Sequence, residues 1–196
     1  RDDCMSENNK HTALIPSKNI GDEAGKRNAP TSARKGEPLL HMTEDMRRLS
    51  TPWAISMARA KQIEASDLPA GVILDAAAGS GAQLIALATE LKRPALGIEL
   101  DGNIAVLCAA NMHIASDGDQ IQRTLDRVII GDGSDAEGAI TAYWNSLRKS
   151  GTRAHPPIAM LHLDPARPRD AQNHHIDEMK PPLKSVLNSW NEYLQT

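Results

Sequence analysis

The sequence contains no phenylalanine, and its aromatic share is only 3%, from three Trp and two Tyr. Its core must therefore be built from Ala, Leu, Ile and Met. Cysteine is nearly as scarce: Cys4 and Cys108 lie far apart, make no metal-ligand spacing and suggest no disulfide framework. That usage fits a reducing compartment. No apolar run approaches the roughly 18 residues that a membrane-spanning helix needs, and no secretory n-region or h-region opens the chain. The expectation is a soluble, cytoplasmic protein. Charge of one sign is also missing. The net value of −3 gives no global attraction to nucleic acid or an anionic membrane, while leaving room for a local basic patch.

What is present fits one domain of ordinary size, with a hydrophobic fraction of 40% over 196 residues. Residues 1–38 are polar, with scattered Gly, Pro, Ser, Asn and Lys and no sustained apolar periodicity. They read as a flexible leader, and their loose basic run (Lys26, Arg27, Arg34, Lys35) reads as a solvated tail rather than a nucleic-acid arm. Order is expected from about Leu39, giving a domain over residues 39–196. Thr43 followed by Glu44 and Asp45 marks one helix start. Ser50-Thr51-Pro52-Trp53 marks a second, and Trp53, Met57, Ala60 and Ile63 then recur at helical spacing.

Downstream, short apolar runs alternate with helical periods. Strands are expected over 71–77, 94–100, 126–133 and 157–168, and helices over 81–92, 102–115, 136–149 and 178–194. That alternation predicts an α/β fold: a Rossmann-like, doubly wound parallel sheet built through crossover helices. In such sheets ligands bind beyond the carboxyl ends of the strands, where the strand order reverses. The four predicted strands end in acids: Asp75, Glu99, Asp132 and Asp164.

These positions suit an adenosine that carries a cationic amino-acid tail. Gly79 and Gly81 let backbone approach a ligand and turn into the following helix, whose free N–H groups face ligand oxygens. Glu99 follows Asp75 by 24 residues, near the roughly 20-residue spacing at which a second-strand acid meets ribose hydroxyls. Asp132 is placed to accept from an adenine amino group, and Asp75 to face an ammonium and sulfonium end.

The order "LDAAAGSG", "GIELD", "IIGDG" and "LHLDPARP" over residues 71–168 resembles the class I S-adenosylmethionine-dependent methyltransferases. The stretches "MRRLSTPWAISMARAKQI" and "DPARP" further resemble the THUMP-like-domain methyltransferases, in which Asp-Pro-Ala-Arg replaces the usual Asn/Asp-Pro-Pro-aromatic. The resemblance implies that Asp75, Ala77, Gly79 and Gly81 hold the methionine part of S-adenosylmethionine, Glu99 the ribose and Asp132 the adenine. It implies that Asp164 and Arg167 face the methyl acceptor, with RNA as the expected partner and Arg167, Arg169 and Lys180 toward phosphates.

The chain departs from the family pattern at three points. Ala77 stands where Asp-x-Gly-x-Gly-x-Gly has its first glycine, which puts one close backbone approach in doubt. Arg167 stands where amino-methyltransferases place an aromatic, which weakens stacking on a flat base. The sequence also stops about a helix after Asp164, so the expected sheet lacks its last strands or the chain is a fragment. A cysteine-nucleophile RNA methylation is disfavoured, because no cysteine follows Cys108. His162, inside a strand, reads as a packed or partnered core residue, and Trp144 and Trp190 as core or interface. His174-His175 near Asp177 and Glu178 resemble a metal cluster only superficially, since adjacent side chains point apart; no metal is expected. Two alternatives stand beside the enzyme reading. One is a truncated or degenerate methyltransferase fold acting as a binding module; the other is an NAD-binding Rossmann enzyme, disfavoured because Leu84 occupies the last glycine position of Gly-x-Gly-x-x-Gly.

Overall fold

The chain opens on elements that its composition does not announce. In the computed structural model, which describes residues 11–27, 29–64, 66–115, 124–165 and 178–195, β1 (Thr12–Leu14) is followed by α1 (Lys18–Gly25), β2 (Thr31–Ser32) and β3 (Leu40–His41). The helices α2 (Glu44–Leu49) and α3 (Trp53–Glu64) come next. Then the alternating series runs β4 (Val72–Asp75), α4 (Ala82–Leu91), β5 (Ala95–Glu99), α5 (Gly102–Ala115), β6 (Arg127–Ile130), α6 (Ala136–Lys149), β7 (Ile158–His162) and α7 (Leu183–Trp190). Thr43 caps α2 by accepting from Met46 N–H, as the acids after it predicted.

The main sheet has the order β1-β6-β5-β4-β7, with β6, β5, β4 and β7 parallel and β1 antiparallel on the outer edge of β6. Across the parallel part the strands therefore run third, second, first, fourth. The order reverses between β4 and β7, which opens a crevice there. This is a mostly parallel α/β sheet flanked by helices, compatible with the Rossmann-like expectation. Among the described residues no helix is long and apolar enough to cross a membrane.

Uninterrupted apolar strands need cover on both faces, and alternate residues find it on opposite sides. Val72, Leu74, Leu96, Ile98 and Ile129 pack with Ala139, Ile140 and Tyr143 of α6 and Val186 and Trp190 of α7. Ile73, Ala95 and Val128 pack with Leu84 and Leu87 of α4 and Ala105, Cys108 and Met112 of α5. After α7, Leu194 forms a single parallel bridge to Ile158, on the side of β7 away from β4.

The flexible leader expected over residues 1–38 is, where it is described, part of the fold. β1 extends the sheet, and α1 lies along α5, where Ala24 packs with Val106, Leu107 and Ala110. The physical reason lies in α5 itself. All eight residues from Ala105 to Met112 are buried, so this helix has no polar face to give to water and needs a second element on its outer side.

Candidate functional site

The loop after β4 is held from two sides. From α5, the buried Asn111 donates to the carbonyls of Ser80 and His41, both at 2.9 Å. Cys108 lies so close beneath Gly81 that a Cβ there would come within 2.8 Å of its Sγ. Gly81 also has φ of +79°, in the left-handed region that favours glycine. Burial, followed by the charges of Asp75 and Glu99, pushes the Cys108 thiol well above its ordinary range, so it is a packing group and not a nucleophile. From the opposite face, Gly133 in the loop after β6 abuts the Ala76 carbonyl with no room for a Cβ. Trp190 fixes that second loop by donating to the Gly133 carbonyl at 2.8 Å.

The strand-end acids divide into two groups. On the rim, Glu99 folds back over the loop: Oε2 accepts from Gly79 N–H at 3.0 Å and Oε1 from Asp101 N–H at 2.9 Å. Burial raises its pKa above the ordinary value; the two backbone hydrogen bonds oppose the rise, and Asp101 and Asp75 add to it. Gly79, at φ +52°, has nothing within 4 Å of the place a Cβ would occupy, so the backbone beside Glu99 faces open space. Asp132 is exposed, and its Oδ1 accepts from both N–H and Oγ of its neighbour Ser134.

The second group sits at the crevice between β4 and β7. Asp75 is only 2% exposed. Its Oδ1 accepts from Ala77 N–H at 3.0 Å, and its Oδ2 lies 3.1 Å from Nδ1 of His162, its register partner on β7. Asp164, two residues on, is exposed and takes hydrogen bonds from Gln83 of α4 and, at 3.4 Å, from Thr51. Gln83 in turn accepts from Arg59 of α3 at 3.0 Å. A cleft of about 180 Å³ opens here, lined by Ser56, Arg59, Gln62, Gln83, Leu87 and His162 among others.

The structure thus brings Glu99 to Gly79 and Asp75 to Ala77, while Asp132 bonds only within its own loop among the described residues. Arg167, Arg169 and the His174-His175-Asp177 stretch lie outside the described residues, and Lys180 is exposed. The expectation of a partnered His162 is met, with Asp75 as the partner. The Asp75–His162 pairing follows from the strand order: in a third-second-first-fourth arrangement the ends of the first and fourth strands are neighbours. Arg59, Gln83 and Ser56 carried no sequence signal, because their roles arise from the packing of α3 along α4.

Burial disfavours charge on His162, but the hydrogen bond and charge of Asp75, helped by Asp164, outweigh it and the opposing Arg59. The folded-state pKa is raised above the ordinary 6.5. This contribution to stability is therefore complete below about pH 6.5 and is lost as pH rises through the raised value. His162→Gln should lose about 1 kcal/mol more against wild type at pH 5.5 than at pH 8.5, measured by urea unfolding. An equal loss at both values would show that the pair is not ionised.

No protein-family model matches the chain, and comparison with curated proteins and with solved structures also returns no match.

Proposed function

We propose that the protein is an S-adenosylmethionine-dependent methyltransferase, with RNA as the acceptor, acting in the cytoplasm. One observation carries the reading: the Glu99 carboxylate lies on the Gly79 amide, at the end of the strand next to β4, beside backbone open to a ligand. An acid at this place in a parallel sheet is suited to a ribose diol. The residues present fit the group, since a side chain at Gly79 would fill the space that the cofactor is proposed to enter.

In this reading Glu99 accepts from the ribose hydroxyls, exchanging its bonds to backbone N–H for bonds to ligand O–H. Asp132, exposed at the end of β6, accepts from the adenine amino group. Gly79, Gly81 and Ala77 border the methionine part. Asp75 contributes a buried negative charge below that end while it holds the loop through Ala77 N–H. The cofactor, when bound, supplies a methyl group on sulfonium. Asp164 and Arg167 face the acceptor, and the methyltransferase type of the fold belongs to the same reading. Much of the rate enhancement comes from positioning. RNA as acceptor rests on the resemblance of "DPARP" alone.

Glu99→Ala should weaken S-adenosylhomocysteine binding by about 10- to 100-fold, the equivalent of losing charge-assisted hydrogen bonds. Thermal unfolding should change little, because Glu99 is replaced at a partly open rim. Titration calorimetry of both proteins checks this; equal affinities would remove Glu99 from the site.

A further inference from the structure

The cleft between α3, α4 and the end of β7 is not used by the cofactor reading. It has four properties of a built site. It ends at the strand-order reversal, where open α/β sheets bind ligands. It contains a histidine whose Nδ1 is engaged by a buried carboxylate. It is lined by Ser56, which is 2% exposed and whose Oγ has no hydrogen-bond partner among the described residues. It also carries two amides, Gln62 and Gln83, against the apolar Ile63 and Leu87.

We propose that this cleft receives a single nucleobase-sized planar ring whose reacting heteroatom still carries its proton, and that His162, oriented by Asp75, takes that proton. The volume of about 180 Å³ is below the roughly 300–1,000 Å³ of sites for whole drug-sized ligands, so one ring enters and the rest of the acceptor stays outside. The mixed lining suits such a ring: aliphatic side chains meet its faces, and hydroxyl and amide groups meet its polar edge.

The chemistry follows from the dyad. An ionised Asp75 only accepts hydrogen bonds, so it selects the tautomer with hydrogen on Nδ1 and leaves a lone pair on Nε2. This step rests on the methyltransferase reading above. The lone pair of the acceptor heteroatom forms the bond to the methyl carbon, and the carbon–sulfur bond breaks with its electron pair going to sulfur. The acceptor's proton passes to Nε2, and the imidazolium so formed is stabilised by Asp75. Among the described residues, the other charged groups facing His162 are Asp164, which supports the cation, and Arg59, which opposes it. Asp75 is thus a positioning residue, and His162 is the catalytic one.

Two measurements test this. In the first, the ¹⁵N signals of the histidine side chains are followed while each of the four ribonucleosides is added to the full chain. At least one nucleoside should shift the His162 imidazole saturably, and the shift should disappear in Gln62→Trp, which places a large ring at the exposed rim of the cleft without touching the core. No shift by any nucleoside up to its solubility limit overturns the proposal, even if S-adenosylhomocysteine binds. In the second, the pH dependence of methyl transfer from S-adenosylmethionine to a pool of oligoribonucleotides is recorded. Wild type should show one acid limb; Asp75→Asn should move it to lower pH; His162→Gln should remove it, with a 10²- to 10⁴-fold loss of kcat. An unchanged limb in Asp75→Asn overturns the dyad. A nucleoside shift without S-adenosylhomocysteine binding supports the cleft and overturns the cofactor reading instead.

Discussion

Trp190→Ala is expected to reduce stability by about 3–5 kcal/mol, the range for truncating a large buried aromatic. Trp190 has no exposed surface and sits among Ile140, Tyr143 and Val186 on the α6–α7 face of the sheet. Truncation leaves a void that this face cannot close without moving α7. It also removes the indole N–H from the Gly133 carbonyl, leaving that oxygen unpaired near the core. With a total stability of about 5–15 kcal/mol for an ordinary domain, this is a large fraction. The midpoint of thermal unfolding should fall by about 6–20 °C, readable by far-ultraviolet circular dichroism. Trp190→Phe keeps most of the volume and loses the hydrogen bond, so its loss should be clearly smaller. A fall below 3 °C for the alanine variant would show that α7 is not anchored as described.

Gly133→Ala tests the other half of the same contact. A single added carbon would overlap the Ala76 carbonyl, a backbone atom with no rotamer to swing aside. Overpacking a closed contact typically costs about 1–3 kcal/mol, and this position belongs at the upper end because backbone must move on both sides. The displaced pieces are the loop after β4 and the loop after β6, which together carry Ala77, Gly79 and Asp132. The variant should therefore lose ligand affinity as well as stability, whereas Trp190→Ala should act first on stability. Chemical unfolding and calorimetric titration on the same sample separate the two effects. Full retention of both would mean that the two loops do not meet.

Much of the alternating core was legible because its signals are local. The helices over 102–115 and 136–149 appear with those bounds, and every predicted strand appears, shortened at its ends. The strand over 157–168 stops at His162; Leu163, Asp164 and Pro165 follow without regular structure, and Pro165 has no N–H to continue a ladder. What was not legible is non-local. β1 spans three residues and α1 eight, too short for a periodic pattern, and each is stabilised by what it covers rather than by its own sequence. The one available clue was indirect: a helix whose stretch Ala105–Met112 carries a single polar residue, Asn111, needs cover on every side. The acids of the candidate site were readable as strand ends, but their partners were not. That Asp75 turns to His162, and Glu99 to Gly79, depends on which strands are neighbours.

The rim formed by Glu99, Gly79 and Asp132 is proposed as an S-adenosylmethionine site. Titration calorimetry of the wild-type chain with S-adenosylhomocysteine and with NAD, in parallel and at one pH, tests it most directly. Saturable binding of S-adenosylhomocysteine and none of NAD is the expected result. Binding of NAD alone would point to a dinucleotide enzyme, and binding of neither at millimolar concentration would point to a fold that acts through a partner. Either result would rule out an S-adenosylmethionine site at this rim.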